Sequence, residues 1–127
     1  DRLEEAIQAY QRAVELDEGY ARAWTNLGTA HLMAGEREAA SNSFLRALAL
    51  APGAADAHSG LGYVHLYEGD AATALRHFKE AVKLDSVLAG GYYGQAMAFS
   101  ALGDSARAKQ QIRLFQRHAA GQRPGTP

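Results

Sequence analysis

The chain has no cysteine, only three prolines and one tryptophan, and almost no net charge across its 127 residues. Each shortage removes a class of protein. Without cysteine there is no disulfide scaffold, zinc ribbon, thiol nucleophile or redox pair. The formal charge is −1, and ten arginines and three lysines are interleaved with fourteen acidic residues. That dispersion gives no basic stripe to follow a phosphate backbone, so no nucleic-acid partner is expected. Apolar runs are broken every few residues by Gly, Arg, Glu or His, far short of the roughly 20 apolar residues of a membrane span, so no membrane insertion is expected. The opening Asp1-Arg2-Leu3-Glu4-Glu5 lacks the basic and apolar parts of a signal peptide. This favours a soluble, cytoplasmic chain and leaves the compartment open.

Alanine, by contrast, fills about a fifth of the sequence, while proline stands only at Pro52, Pro124 and Pro127. That balance suits helices and not sheets, so the expected class is all-α. The thirteen glycines then have to punctuate short helices, since they would weaken long ones.

Sliding the sequence against itself gives one dominant offset, 34 residues. Gly35, Gly69 and Gly103 align, as do Ala6, Ala40, Ala74 and Ala108, and Tyr10, Phe44, Phe78 and Ile112. Leu16, Leu50 and Leu84 form a further column; Trp24, His58 and Tyr92 form a bulky one; and Leu27 and Leu61 are each followed by glycine. A fixed period of this length is the mark of a stacked repeat. Within each unit the apolar spacing is helical on both sides of the glycine, which predicts helix–turn–helix units with helices near 2–16, 21–34, 37–50, 55–67, 71–84, 88–101 and 104–119. Gly35, Gly69 and Gly103 should close the turns at positive φ. Asp70 and Asp104 should cap the helices that follow, and Pro52 should end the third helix.

The run Ala23-Trp24-Thr25-Asn26-Leu27-Gly28, followed by Gly35, Ala40, Phe44, Ala47 and Pro52, resembles the tetratricopeptide repeat. Three units, 21–54, 55–88 and 89–122, and a preceding half unit, 1–20, would place one repeat domain over 1–120 and leave 121–127 as a flexible tail. The third unit departs most, with Gln95-Ala96 in place of Leu-Gly, and is expected to pack less well against its own second helix. The resemblance implies an α-solenoid, a right-handed superhelix of antiparallel helix pairs with about seven helices. It also implies a concave groove, lined by the first helix of each pair, that takes a peptide or protein partner.

By that resemblance the groove residues are Asn26, Thr29, Met33, Tyr63, Tyr67, Tyr93 and Met97, with Arg22, Thr25, Asp56, Ser59, Gly60, Gly90 and Gly94 beside them. The spacing of four between Tyr63 and Tyr67, and between Tyr93 and Met97, independently supports a stripe on one helix face. Chaperone-binding members of the family hold a C-terminal carboxylate with Lys, Asn and Arg. Here those slots hold Thr25, Thr29, Gly60, Gly90 and Gly94, so the clamp is missing. An asparagine ladder like that of protein O-glycosyltransferase repeats keeps one rung, Asn26, because Gly60 and Gly94 replace the next two. What remains is a stripe of Tyr and Met with glycine gaps, suited to an apolar or mixed peptide.

Chemistry has little to stand on. His31 and His65 share a column, but no two histidines lie at i, i+4 and no cysteine completes a ligand set. There is no nucleophile elbow or phosphate loop. The expectation is an interaction scaffold with no catalytic residue, cofactor or metal. Two alternatives accompany it: a self-assembling module that stacks end to end, or the non-catalytic, substrate-presenting arm of a larger enzyme such as a glycosyltransferase. The first has a charge argument, since residues 1–20 carry six acidic and two basic groups whereas 104–127 carry one acidic and five basic. Helix 2–16 also lacks a first-helix partner for Leu3, Ile7, Tyr10 and Val14, as expected of a segment cut from a longer repeat region. The polar side of the last helix, with Lys109, Arg113 and Arg117, should act as a partial cap towards solvent.

Overall fold

A computed structural model describes residues 1–121. They form seven helices: α1 (Arg2–Leu16), α2 (Ala21–Met33), α3 (Arg37–Leu50), α4 (Ala55–Tyr67), α5 (Ala71–Leu84), α6 (Ala89–Ala101) and α7 (Ser105–Gly121). No strand occurs among the described residues. The predicted helices hold to within two residues at every end, and the predicted tail loses Gly121 to α7; the rest of it, 122–127, lies outside the described residues.

The turns inside the three helix pairs are copies of one another. Gly35, Gly69 and Gly103 have φ of 78°, 86° and 82°, and the next backbone N–H, of Glu36, Asp70 and Asp104, donates to the carbonyl of His31, His65 and Phe99 at 2.9 Å. This left-handed closure satisfies carbonyls that the end of the helix would otherwise leave unpaired. Asp70 and Asp104 then accept from the N–H of Thr73 and Arg107 at 3.1 Å, so both predicted caps form. The first pair has Glu36 at this position and no side-chain cap. Between pairs, the carboxylates of Asp17 and Asp85 accept from the N–H of Gly19 and Val87 at 3.1 and 3.2 Å, while the middle connection uses Ala51-Pro52-Gly53. The bulky column ties the next helix to these loops: the Trp24 indole donates to the Glu18 carbonyl at 2.9 Å and the Tyr92 hydroxyl to that of Ser86 at 2.7 Å.

Packing rests on two phenyl rings. Phe44 and Phe78 are wholly enclosed, as are Ala40, Ala47, Ala74 and Ala81 on the same helices. A Cβ on Gly28, in the same pair as Phe44, would lie 2.7 Å from its ring; one on Gly60, in the next pair, would lie 2.4 Å away. Phe78 repeats the arrangement with Gly62 at 2.6 Å and Gly94 at 2.3 Å. Each ring therefore fills a slot cut by two glycines on successive first helices.

The third pair differs in that α7 has no buried residue, whereas α3 and α5 have four each. Its helices, α6 and α7, lie against each other as extensively as the helices of the other two pairs. The physical reason is compensation: Ala96 adds a methyl where Gly28 and Gly62 have none, and Ile112 takes the place of the larger phenyl ring. Gln95 and Ala96 are both buried.

The first helices α2, α4 and α6 touch in sequence, whereas the second helices α1, α3, α5 and α7 do not touch one another among the described residues. The stack therefore bends with the first helices inside, which accounts for α4 and α6 being apolar around most of their circumference. At the N-terminal end α1 is covered by α2 alone: Val14 is buried with Ala23 and Leu27, while Ile7 and Tyr10 are half-buried against them.

Histidines gather between α4 and α5. The His77 ring stacks on His65 at 5.4 Å and lies 5.8 Å from His58, so the shared column of His31 and His65 is not where the imidazoles meet. Burial, then the imidazoles of His65 and His58 and the Arg76 guanidinium, push His77 below the usual histidine range.

Three outcomes are expected. Gly94→Ala should destabilise the fold by about 1–3 kcal/mol through overpacking, and Phe78→Leu introduced beside it should recover part of that loss. Gly90→Ala, on the same helix but with nothing within 4 Å of the added carbon, should stabilise by up to about 1 kcal/mol. Urea denaturation of the variants checks both. Thirdly, because native His77 binds its proton less tightly than the unfolded chain does, its contribution is complete above about pH 6.5 and is lost as pH falls from there through its lower native pKa. Stability measured between about pH 7 and 5 should fall less steeply in His77→Gln.

Candidate functional site

The seven stripe residues all lie on the first helices, and α2, α4 and α6 form the inner side of the bend. Met33 at the end of α2 is 72% exposed, Tyr67 at the end of α4 is 51% exposed and Tyr93 on α6 is 42% exposed. Large apolar side chains this open are not serving the core. Thr29 is exposed, with its hydroxyl donating to the Thr25 carbonyl at 3.1 Å, and Asn26 and Met97 are half-buried.

Tyr63 is held differently from the rest. Its ring stands edge-on to Phe78 at 4.9 Å and its hydroxyl reaches the Gly90 carbonyl on the next first helix at 3.4 Å. Burial, with the neighbouring Tyr67 and Tyr93 hydroxyls adding to it, pushes its pKa up to about 12. The hydroxyl thus stays protonated and keeps donating at any ordinary pH. Tyr67 lies 6.3 Å from this ring, so α4 offers one fixed and one free tyrosine. Tyr93 leans on Phe115 at 5.3 Å.

The stripe is not one even channel. Asn26, Thr29 and Met33 line a hollow of about 480 Å³ with Leu3, Ala6 and Tyr10 of α1. Tyr93 and Met97 line a larger cavity of about 850 Å³ with Leu66, Ala108, Ile112 and Arg113. Tyr63 and Tyr67 stand between the two hollows. Two of the expected glycine gaps are absent, because Gly60 and Gly94 are buried with the Phe44 and Phe78 rings in the space their side chains would take, whereas Gly90 has nothing within 4 Å of an added carbon. Thr25 and Ser59 are buried too, and the Thr25 hydroxyl turns back to the Ala21 carbonyl at 3.3 Å. Of these four, Thr25 lines a hollow of about 440 Å³ with Arg22 and Asp56.

The sequence did not single out Leu66, Ala108 or Ile112 for the site, since each belongs to a repeat column that is core elsewhere. For Ala108 and Ile112 the signal that could have found them is position, since no described unit lies over a core column of the last described one; Leu66, in the unit before, carries no such signal. Lys109 and Arg113, expected as a solvent-facing cap, border the same cavity.

No group of three or more potential metal ligands occurs among the described residues. His31 Nδ1 is 3.6 Å from a Glu36 carboxylate oxygen and His65 Nδ1 is 3.9 Å from one of Glu68. No helix among the described residues is long and apolar enough to cross a membrane.

Comparison with known proteins agrees with this architecture. A family profile described as tetratricopeptide repeat matches residues 26–89, and one described as TPR repeat matches residues 1–35. No curated protein sequence matches significantly. Among solved structures, two crystal structures of MamA superpose with TM-scores of 0.77 and 0.78 at 26% identity. They cover 91% and 92% of this chain, which spans 63% and 68% of theirs. The second TPR of Spaghetti (RPAP3), bound to the HSP90 peptide SRMEEVD, superposes with a TM-score of 0.72 at 20% identity, covering 89% of this chain and 97% of its own. With the profile match spanning half its length and the same helix-pair architecture throughout, the chain belongs to the tetratricopeptide repeat family.

Proposed function

We propose that the chain is a protein–protein interaction scaffold that binds an extended, apolar or mixed peptide segment along its inner stripe. The observation that carries this reading is the row of open side chains, Met33, Tyr67 and Tyr93, on the face towards which the stack bends. Tyrosine gives wide contact area for little lost side-chain freedom, and methionine adapts to irregular shapes. Asn26 and Thr29 supply the polar contacts of the N-terminal hollow, and Met97 joins Tyr93 at the other end. Tyr63 acts as a floor, already committed to Phe78 and Gly90.

The peptide class follows from what the stripe lacks. A C-terminal carboxylate clamp needs cationic side chains on the inner face, and two of its slots hold Gly60 and Gly94, where no side chain fits beside Phe44 and Phe78. The ligand therefore differs in kind from the acidic peptide bound in the RPAP3 domain. The role in this reading is binding.

Peptides selected from a random library and titrated by calorimetry should separate the roles. Tyr67→Ala and Tyr93→Ala should each weaken binding by more than about 1 kcal/mol, as groove anchors do. Asn26→Ala should cost about 0.5–1.5 kcal/mol through one lost hydrogen bond. Raising the salt concentration should leave the affinity nearly constant. Unchanged affinity in both tyrosine variants would place binding elsewhere.

A further inference from the structure

We propose that the hollow between α1 and the turn joining α2 to α3 is a second binding site, which takes the guanidinium group of an arginine side chain presented by a partner protein. The hollow measures about 450 Å³ and is bordered by Glu4, Gln8 and Gln11 of α1, by His31 near the end of α2, and by Glu36. None of the seven stripe residues lines it, and neither does any lysine or arginine. Among the described residues Glu4 makes no ion pair, and Glu36 approaches only His31.

Two of these side chains differ from their counterparts in the later units. His31 is 7% exposed and its Nδ1 is enclosed without a hydrogen-bond partner; the Glu36 carboxylate, at 3.6 Å, is too far to be one. A buried acceptor left unpaired is costly, and a ligand donor would remove that cost. The same column continues as His65, which reaches solvent, and Phe99, which has no polar atom. Glu36 stands where Asp70 and Asp104 cap the helix that follows, yet it caps nothing. Its carboxylate lies beside the imidazole instead.

The repeat shows that this face stays open whatever precedes α1. On α3 the counterparts of Glu4, Gln8 and Gln11 are Glu38, Asn42 and Leu45, and all three are exposed although α2 stands before that helix. Asp1 also borders the hollow, but its carboxylate already accepts from the Leu3 N–H at 2.9 Å. On α5 the places of Gln8 and Gln11 are taken by Arg76 and Lys79, which would repel the same ligand.

Two acceptors 3.6 Å apart suit the parallel N–H groups of a guanidinium edge. One N–H donates to the Glu36 carboxylate and the next to His31 Nδ1, the imidazole then carrying its proton on Nε2. Glu4, Gln8 and Gln11 offer acceptors to the remaining donors. Leu3, Ile7 and Ala34 complete the lining and cover the apolar stem of an arginine. A bare metal ion fits worse, since no group of three or more potential ligands occurs among the described residues. That the arginine belongs to a protein rests on the scaffold reading above; the choice of a guanidinium does not.

The probe is N-acetylarginine N-methylamide, titrated into the whole chain and followed through the NMR signals of the His31 imidazole and the Glu36 backbone. It should give saturable shifts there with a Kd of about 1–10 mM, as suits a single exposed charged contact. The uncharged citrulline analogue should give none. In Glu36→Asp the shorter carboxylate can cap α3 as Asp70 caps α5, so the melting temperature should rise while affinity for the probe falls at least about threefold. A glutamate with a merely structural role would not link those two effects. His31→Phe introduces the residue that the column holds at Phe99 and should weaken the probe by a similar factor. A thermal melt shows whether it remains folded; if it does not, Glu36→Asp decides. Tyr67→Ala should leave the titration unchanged, and peptides selected for the stripe should bind His31→Phe as they bind the parent, so the two sites fail separately. No saturable shift up to about 50 mM probe, an equal response to the citrulline analogue, or full affinity in the deciding variant would overturn the proposal. Agmatine binding at least about tenfold more tightly than the blocked arginine would overturn it too, by making the occupant a free small cation.

Discussion

A phenyl ring held between two glycines sets most of this architecture. Phe44 fills the space where Gly28 and Gly60 have no side chains, and Phe78 does the same with Gly62 and Gly94. Because one glycine belongs to the ring's own pair and the other to the next, a single side chain fixes both the spacing within a pair and the spacing between pairs. Close-packed interiors tolerate little change in volume at such a point. In the third pair Ala96 stands in the glycine column and Ile112, smaller than phenylalanine, stands in the ring column.

That constraint reaches the inner face. The column that contains Asn26 continues as Gly60 and Gly94, and these are glycine because a ring from the preceding pair needs the space. Polar side chains are thereby excluded from the middle of the groove. Asn26 survives where the preceding helix is α1 and the ring below is the half-buried Tyr10. The chemistry of the groove is thus a by-product of packing: tyrosine and methionine occupy positions that the glycine column leaves open, and a ladder of polar rungs is sterically unavailable.

The repeat was plain in the sequence because the punctuation is local. Gly35, Gly69 and Gly103 need positive φ, and Asp70 and Asp104 need only a free N–H two or three residues onward, so helix ends followed from neighbouring residues. The groove was less legible. Spacing placed Tyr63, Tyr67, Tyr93 and Met97 on one side of their helices, but a helix touched on three sides has little polar face to mark its orientation. Gly60 and Gly94 therefore read equally well as gaps in a groove and as slots for a ring. Nothing local says that the ring filling Gly94 comes from a residue sixteen positions earlier in a different pair.

Column identity also conceals context. Ala74 and Ala108 occupy equivalent positions, yet the first is wholly enclosed and the second borders a cavity. In a stack where each unit touches only its neighbours, a residue's burial depends on whether a further unit follows. The same column that is enclosed in one unit is half-buried in the last described one. The residues at two neighbouring positions change from Ser41 and Leu45, through Leu75 and Lys79, to Lys109 and Arg113. The seven stripe side chains are themselves uncharged, but the hollows they line are edged by Asp1 and Arg2 at one end and by Lys109 and Arg113 at the other, so apolar area and charge meet on the same inner face.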